Sequence, residues 1–173
     1  MIVDHFLVWW LRSGRYSWSR LRRRLFEQRY LKVALPGVNT LDEIQGYLTQ
    51  VTWTMDGPLH LFDSISYPQT VWARKKDDCD GFAILAATLL QQCEPDYRPV
   101  LLTAMVRPVS NSHTVCAFSV TSGELWFFDN ASVRQTHFQT YDEIVAEIKG
   151  NYRLVCWDTV DPNTLQTIEF RKA

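Results

Sequence analysis

The chain has 173 residues, of which 46% are hydrophobic and 21% charged, with a formal net charge of −1. This length and composition are typical of one globular domain and exclude a disordered or fibrous chain. The charge is uneven, because residues 1–35 carry eight Lys/Arg against two acidic residues, whereas the remainder is acidic overall.

Residues 1–36 are predicted to form a basic helical N-terminal arm, and residues 37–173 the main domain, within a single globular unit. Apolar residues recur there at three- and four-residue steps among the arginines, and Pro36-Gly37 ends the pattern. These apolar residues are Trp18, Leu21, Leu25, Phe26 and Tyr30. Such a segment either packs on its own domain as an amphipathic helix, which we favour, or meets an anionic partner such as nucleic acid or a lipid surface.

The start of the chain is apolar for about ten residues, but it contains Asp4 and His5 and lacks a cationic leader. We therefore expect no signal peptide and no transmembrane segment. Four cysteines without metal-binding spacing are too few for a disulfide scaffold and indicate reduced thiols in a cytoplasmic protein. Three of them, Cys93, Cys116 and Cys156, are interpreted as small core residues.

A second helix is predicted from Thr40, with Glu43 placed to complete a capping box. Residues 56–78 contain Gly57, Pro58 and Pro68 and are predicted to be a long irregular loop. From Cys79 to Cys93 nearly every position is apolar, which is typical of a buried central helix.

The C-terminal half reads mainly as strands. Strands are predicted at 100–106, 114–120, 124–129, 152–157 and 167–170, and a helix at 141–148. Residues 121–123 carry a hairpin turn signal, with Gly123 as its third residue. Helices followed by mostly antiparallel strands define an α+β fold class, with the central helix carrying Cys79 packed on the sheet.

Cys79 is a candidate nucleophile because it begins the buried helix. A thiol reacts as the thiolate, whose pKa falls at a helix N-terminus and beside an imidazolium. The neighbouring Asp78 and Asp80 oppose this effect through their negative charges. Gly81 would let other groups approach the first turn closely. The alternative is that Cys79 simply starts a core helix among capping aspartates.

His113 and Asp129 could complete a catalytic set. His113 begins one predicted strand, and the hairpin returns through an apolar strand that ends at Asp129. A carboxylate beside the histidine would accept its ring N–H and stabilise the charged form. The alternatives are a structural histidine and an aspartate that belongs to the Asp129-Asn130 turn.

These motifs, in this order, resemble the transglutaminase-like superfamily of papain-like cysteine enzymes, and most closely the bacterial transglutaminase-like cysteine proteinases. The resemblance covers roughly residues 40–130. It rests on Asp63-Ser-Ile-Ser-Tyr-Pro68, Asp78-Cys79-Asp80-Gly81-Phe82-Ala83, His113-Thr-Val and Phe128-Asp129-Asn130.

The resemblance implies a papain-like core and a Cys79–His113–Asp129 triad that works through an acyl-enzyme. It also implies that Trp53 assists an oxyanion hole, although core packing is an equal alternative for this residue. Relatives bind calcium through acidic residues around the cysteine, which makes Asp78 and Asp80 weak metal candidates. Because Gly81 stands where a further acidic residue is expected, we predict no cofactor.

The sequence therefore predicts a cysteine peptidase or amidase acting on a protein or peptide. Two other functions stay open: acyl transfer of the transglutaminase type, and a catalytically idle module that binds an anionic partner through the basic arm.

Overall fold

The computed structural model describes residues 2–55 and 64–173, which form an α+β fold. Its α-helices are α1 (Ile2–Trp9), α2 (Arg15–Arg22), α3 (Leu41–Leu48), α4 (Pro68–Arg74), α5 (Cys79–Cys93) and α6 (Tyr141–Lys149). Its strands are β1 (Thr52–Trp53), β2 (Lys76–Asp77), β3 (Val100–Arg107), β4 (His113–Ser119), β5 (Leu125–Asp129), β6 (Ser132–Phe138), β7 (Arg153–Val160) and β8 (Thr167–Lys172).

Six strands form one antiparallel sheet in the order β6-β5-β4-β3-β7-β8, and β1 pairs with β2 in a separate parallel pair. Alternate side chains of the central strands point to opposite faces, so the sheet separates two apolar clusters. Leu101, Cys116 and Phe128 face the cluster that contains α5. Leu102 and Val115 face the cluster that contains α6.

Helix α5 is the central buried helix that the sequence predicts. The Asp78 side chain caps it by accepting a hydrogen bond of 3.0 Å from the backbone N–H of Asp80. Ten of its fifteen residues are buried, because the helix lies between the sheet on one side and α3 and α4 on the other. The predicted α3 is also confirmed, with Thr40 as its N-cap.

The N-terminal segment is helical from Ile2 to Lys32, and two π-helical stretches interrupt it at Trp10–Gly14 and Arg23–Glu27. Eight of its described residues are buried: Trp10, Tyr16 and six that follow a four-residue repeat, Leu7, Leu11, Arg15, Ser19, Arg23 and Glu27. We call these six residues the buried stripe. An α-helix turns once in 3.6 residues, so a repeat of four would drift around it; the wider π turns remove that drift.

The sequence pattern predicts that the apolar side chains of this segment face the body and the arginines face solvent, and the structure shows the reverse for most of them. Trp18, Leu21, Leu25 and Phe26 are between 44% and 64% exposed, whereas Arg15 and Arg23 are only 6% and 4% exposed. The apolar periodicity therefore does not mark the face that packs on the body. Within the described residues, no helix is both long and apolar enough to cross a bilayer.

The buried stripe holds the chain that leads towards Cys79. The hydroxyl of Ser19 accepts the Ile65 N–H at 3.0 Å, and Arg23 donates to the carbonyls of Ile65 and Ser66 at 2.9 and 2.6 Å. The Glu27 carboxylate accepts the backbone N–H of Tyr67 at 2.8 Å. These contacts fix the segment between the undescribed residues and α4.

The prediction of an irregular loop over 56–78 is wrong for its second half, because residues 68–74 form α4 and 76–77 form β2. Pro68, which suggested a loop, occupies the first turn of α4, where proline is well tolerated. Strand β6 has no counterpart in the sequence prediction because it alternates weakly between polar and apolar residues and is mostly exposed. Residues 56–63, including His60 and Asp63, lie outside the described residues.

Gly81 is required by the close approach of Asp77 to the first turn of α5, because a Cβ at position 81 would overlap the Asp77 side chain. We expect Gly81→Ala to lower the free energy of unfolding by about 1–3 kcal/mol, as overpacking does. Gly46→Ala is the matched control, since nothing lies within 4 Å of a Cβ there and alanine favours a helix by up to about 1 kcal/mol. Urea unfolding of both variants checks this; equal effects of the two substitutions would contradict it.

Candidate active site

Cys79 lies at the first position of α5 and is partly exposed. The backbone N–H of Thr114, at the start of β4, donates to the thiol and lowers its pKa, as does the charge of Arg15. Burial of the sulfur and the carboxylates of Asp80 and Asp78 outweigh these effects, so the Cys79 pKa lies well above that of an ordinary cysteine. These effects favour the protonated thiol, so attack by Cys79 requires a base that accepts its proton.

His113 and Asp129 form a hydrogen bond of 2.7 Å between Nε2 and Oδ1. The antiparallel register brings them together: Cys116 pairs with Phe128, so the end of β5 lies against the beginning of β4. This hydrogen bond to His113 holds the pKa of Asp129 below its usual value, although partial burial opposes the shift. The Asn130 side chain also donates to the same Asp129 oxygen, at 3.3 Å. Because Nε2 faces Asp129, Nδ1 is the ring nitrogen left for a neighbouring group.

Cys79 and His113 line the same open cleft, which has a volume of about 350 Å³. Its other lining residues are Trp53, Met55, Asp78, Ser110, Asn111, Ser112, Asn130, Ile148 and Tyr152. Of these, Trp53, Met55 and Tyr152 are 48%, 54% and 45% exposed, so the wall of the cleft presents apolar surface to solvent.

Trp53 reaches the cleft through the short parallel pair of β1 and β2. Trp53 pairs with Asp77, two residues before Cys79, and the Thr54 N–H donates to the Asp77 carbonyl at 2.9 Å. Its exposure rules out core packing, the alternative that the sequence left open.

Arg15 is the part of the site that the sequence analysis misses. Its guanidinium forms a buried ion pair with Asp80, which is 1% exposed, and donates to the Thr103 hydroxyl at 3.2 Å. The Thr103 and Thr114 hydroxyls are hydrogen-bonded at 3.0 Å, so the network extends to the residue whose N–H contacts the Cys79 thiol. The N-terminal helix thus contributes a positive charge directly behind the cysteine.

This arrangement does not fit calcium. The side-chain ligand atoms of Asp78, Cys79 and Asp80 lie within 4.8 Å of one another, but Ca²⁺ needs six to eight oxygens. One oxygen of Asp78 already caps α5, and one oxygen of Asp80 is in the ion pair with the Arg15 guanidinium. Position 81 is a glycine and offers no side-chain oxygen.

Comparisons with known proteins give distant structural similarities only. No family profile and no curated protein matches the chain. Among solved structures, LapG of Legionella pneumophila, a bacterial cysteine protease of the transglutaminase-like fold, matches at 17% identity with a TM-score of 0.47. Its calcium-bound form matches at 18% identity and its EGTA-treated form at 16%, both with a TM-score of 0.48. These matches cover 68–69% of this chain and 62–63% of LapG.

The charges around Cys79 predict opposite effects for two substitutions. Removing the positive charge with Arg15→Met should raise the Cys79 pKa, whereas removing a negative charge with Asp80→Asn should lower it. Iodoacetamide alkylation of Cys79, followed by mass spectrometry across pH, should therefore shift to higher pH in the first variant and to lower pH in the second. Both variants should lose about 3–5 kcal/mol of stability, because each leaves half of a buried ion pair.

Alkylation of Cys93, at the other end of α5 and also partly exposed, serves as the internal reference. If general loosening of the fold controlled access to the sulfur, both variants would shift Cys79 in the same direction. That result would contradict an electrostatic role for Arg15.

Proposed function

We propose that the protein is a cysteine hydrolase, a peptidase or amidase, with Cys79 as nucleophile, His113 as general base and Asp129 as the residue that orients His113. The observation that carries this proposal is the 2.7 Å hydrogen bond between His113 and Asp129 at the cleft that Cys79 also lines. A paired histidine and carboxylate that share a cleft with a thiol at a helix start supply the groups that acyl transfer requires.

In this mechanism His113 Nδ1 accepts the Cys79 proton as Sγ attacks the carbonyl carbon of the substrate. Asp129 stabilises the imidazolium that forms, and its lowered pKa keeps it ionised for that purpose. The carbonyl oxygen takes up the negative charge and is stabilised by the Cys79 backbone N–H and by Trp53. His113 then returns the proton to the leaving amine, which departs as the acyl-enzyme forms. Water, deprotonated by His113, hydrolyses that thioester and restores the thiol.

A raised Cys79 pKa favours proton transfer during attack over a preformed thiolate–imidazolium pair. The thiol stays protonated at neutral pH because burial and two carboxylates oppose its ionisation. The reaction therefore depends on His113 throughout, rather than on the helix N-terminus alone.

The cleft favours a protein or peptide substrate with an apolar side chain near the bond that is cut. The wall of the cleft is largely apolar, with Trp53, Met55, Ile148 and Tyr152 among its lining residues. Apart from the proposed catalytic groups, Asp78 is the single charged residue among the described residues that line it. The four free cysteines agree with a reducing, cytoplasmic setting.

The proposal is tested with a fluorogenic peptide library in which the residue before the reporter varies. We expect Cys79→Ala to abolish turnover, and His113→Ala to reduce kcat/KM by about 10²–10⁴-fold, the usual contribution of general acid–base catalysis. Asp129→Asn should lower kcat more than it raises KM, since the residue acts through His113. Cys93→Ala is the matched control and should leave turnover unchanged. Full activity of the Cys79→Ala variant would refute the assignment.

Adding a primary amine to the same assay separates hydrolysis from acyl transfer. A hydrolase should yield the free acid, whereas an amide product would assign the chain to the transferases with the same catalytic residues. A complete lack of turnover and of Cys79 labelling by acyl-transfer probes would favour the idle module.

Turnover should also be independent of calcium, because the Arg15 guanidinium already supplies the positive charge beside Asp80. We expect equal kcat/KM in excess Ca²⁺ and in excess EGTA, measured on protein passed over a chelating resin. A loss of activity in EGTA that calcium restores would show that the ion binds despite Arg15.

A further inference from the structure

The solvent-facing side of the N-terminal helical segment carries most of the exposed apolar surface of the described residues. Twelve large hydrophobic residues are exposed among the described residues, and eight of them lie between Val3 and Leu31. Such residues are normally scattered, so their concentration on one segment marks a surface that contacts something apolar.

The four-residue repeat sorts this surface into rows. Relative to the buried stripe, Phe6, Trp18 and Phe26 each come one position earlier, and they are 42%, 44% and 64% exposed. Residues two positions after a member of the stripe form a second row. It contains Trp9, Leu21 and Leu25, which are 55%, 48% and 62% exposed, and the polar residues Ser13, Ser17 and Arg29. With about four residues per turn, each residue lies a quarter turn from the one before it. Positions two and three after a stripe residue are therefore neighbouring rows, and they point away from the body. We call the six exposed apolar residues of these rows the apolar face.

A basic row borders the apolar face. Arg12, Arg20 and Arg24 each come one position after a member of the buried stripe, and all three are exposed. Arg20 donates to the Leu165 carbonyl at 2.8 Å, and Arg12 lies over the Phe170 ring, so the row runs along the seam between the helix and the body. Long arginine side chains at such an edge can reach anionic groups in the plane of the apolar face.

We propose that the apolar face binds an anionic lipid surface, with the helix lying in the membrane plane. Trp, Phe and Leu side chains would enter the boundary between headgroups and acyl chains, and the arginine row would contact lipid phosphates. Large apolar residues beside arginines along one side of a helix define an interfacial helix, and tryptophan prefers this depth of the bilayer.

A nucleic acid would use the arginines but would leave the apolar face uncovered. A second copy of the chain would bring two arginine-rich helices together.

Lipid binding would leave the rest of the protein intact. The buried stripe lies on the opposite side of the helix, where it holds Asp80 and residues 65–67. The cleft with Cys79 and His113 would thus stay assembled while the enzyme is confined to a membrane surface. The inference does not depend on the proposed activity.

The test is co-sedimentation of the full chain with vesicles of phosphatidylcholine alone or with one third phosphatidylserine. We expect binding to the anionic vesicles, a shift of tryptophan emission to shorter wavelength, and weakening as salt is raised. The variant Leu21→Ser/Leu25→Ser should lose at least tenfold in affinity, and Arg12→Gln/Arg24→Gln should lose affinity and salt dependence together. Ile168→Ser, which removes an apolar side chain of 61% exposure on β8, is the matched control and should bind normally.

Circular dichroism and urea unfolding establish that each variant is folded, which is expected because every substituted side chain is exposed. Cys79→Ala should bind vesicles like the unmodified protein, so that a failure of catalysis and a failure of lipid binding are separate results. Two outcomes would overturn the proposal: no preference for anionic vesicles, or equal binding by Leu21→Ser/Leu25→Ser. A third outcome would assign the apolar face to a second copy of the chain. In that case the protein would not bind vesicles, it would dimerise with rising concentration in sedimentation equilibrium, and Leu21→Ser/Leu25→Ser would abolish the dimer.

Discussion

Arg15 carries a positive charge into the interior of the protein, and several elements of the fold meet around it. Its guanidinium joins the N-terminal helix to the first turn of α5 through Asp80 and to β3 through Thr103. Asp158, on the neighbouring strand β7, is fully buried nearby and accepts the Tyr16 hydroxyl at 2.7 Å. Burial raises the pKa of Asp158 to about 7, and the Tyr16 hydrogen bond and the Arg15 charge oppose that rise. A buried charge requires partners of this kind, so the position of the N-terminal helix is tied to that of the cysteine.

The catalytic groups of the proposed hydrolase come from rigid elements rather than from flexible loops. Cys79 begins a helix that is buried on most sides, and His113 and Asp129 lie at the adjacent ends of two paired central strands. Their separation is therefore set by backbone hydrogen bonds and apolar packing. The surroundings disfavour the charged form of Cys79 and stabilise that of Asp129. In the proposed mechanism Cys79 therefore gives up a proton during attack, whereas Asp129 stays ionised beside His113.

Features with a local signature were predictable from the sequence. The capped helix at Thr40, the all-apolar run after Cys79 and the hairpin at Gly123 each depend on neighbouring residues, and all are confirmed. The cap at Asp78, which the sequence left as one alternative, is also observed. The hydrogen bond between His113 and Asp129 followed from the order of two strands joined by a short turn. The roles of the three candidate catalytic residues remain predictions.

Features that depend on distant partners were not predictable. Arg15 and Asp80 are 65 residues apart, and nothing in the sequence around either residue indicates the other. For the same reason the sequence predicted the wrong buried face for the N-terminal helix. Its apolar residues recur at helical spacing, yet arginine, serine and glutamate find buried polar partners that periodicity does not reveal. Pro68 misled because proline both breaks helices and begins them.

The buried stripe also has a consequence for the order of events during synthesis. Ser19, Arg23 and Glu27 bind backbone and side-chain groups of residues 65–70, and Arg15 binds Asp80, so this segment is made before its partners and finds them only after some fifty more residues have been added. Until then its tryptophans, phenylalanines and leucines are exposed on every side of a helix that nothing yet anchors. Nascent chains of this kind are prone to associate with other chains or with chaperones. The helix is thus translated before the residues on which it docks.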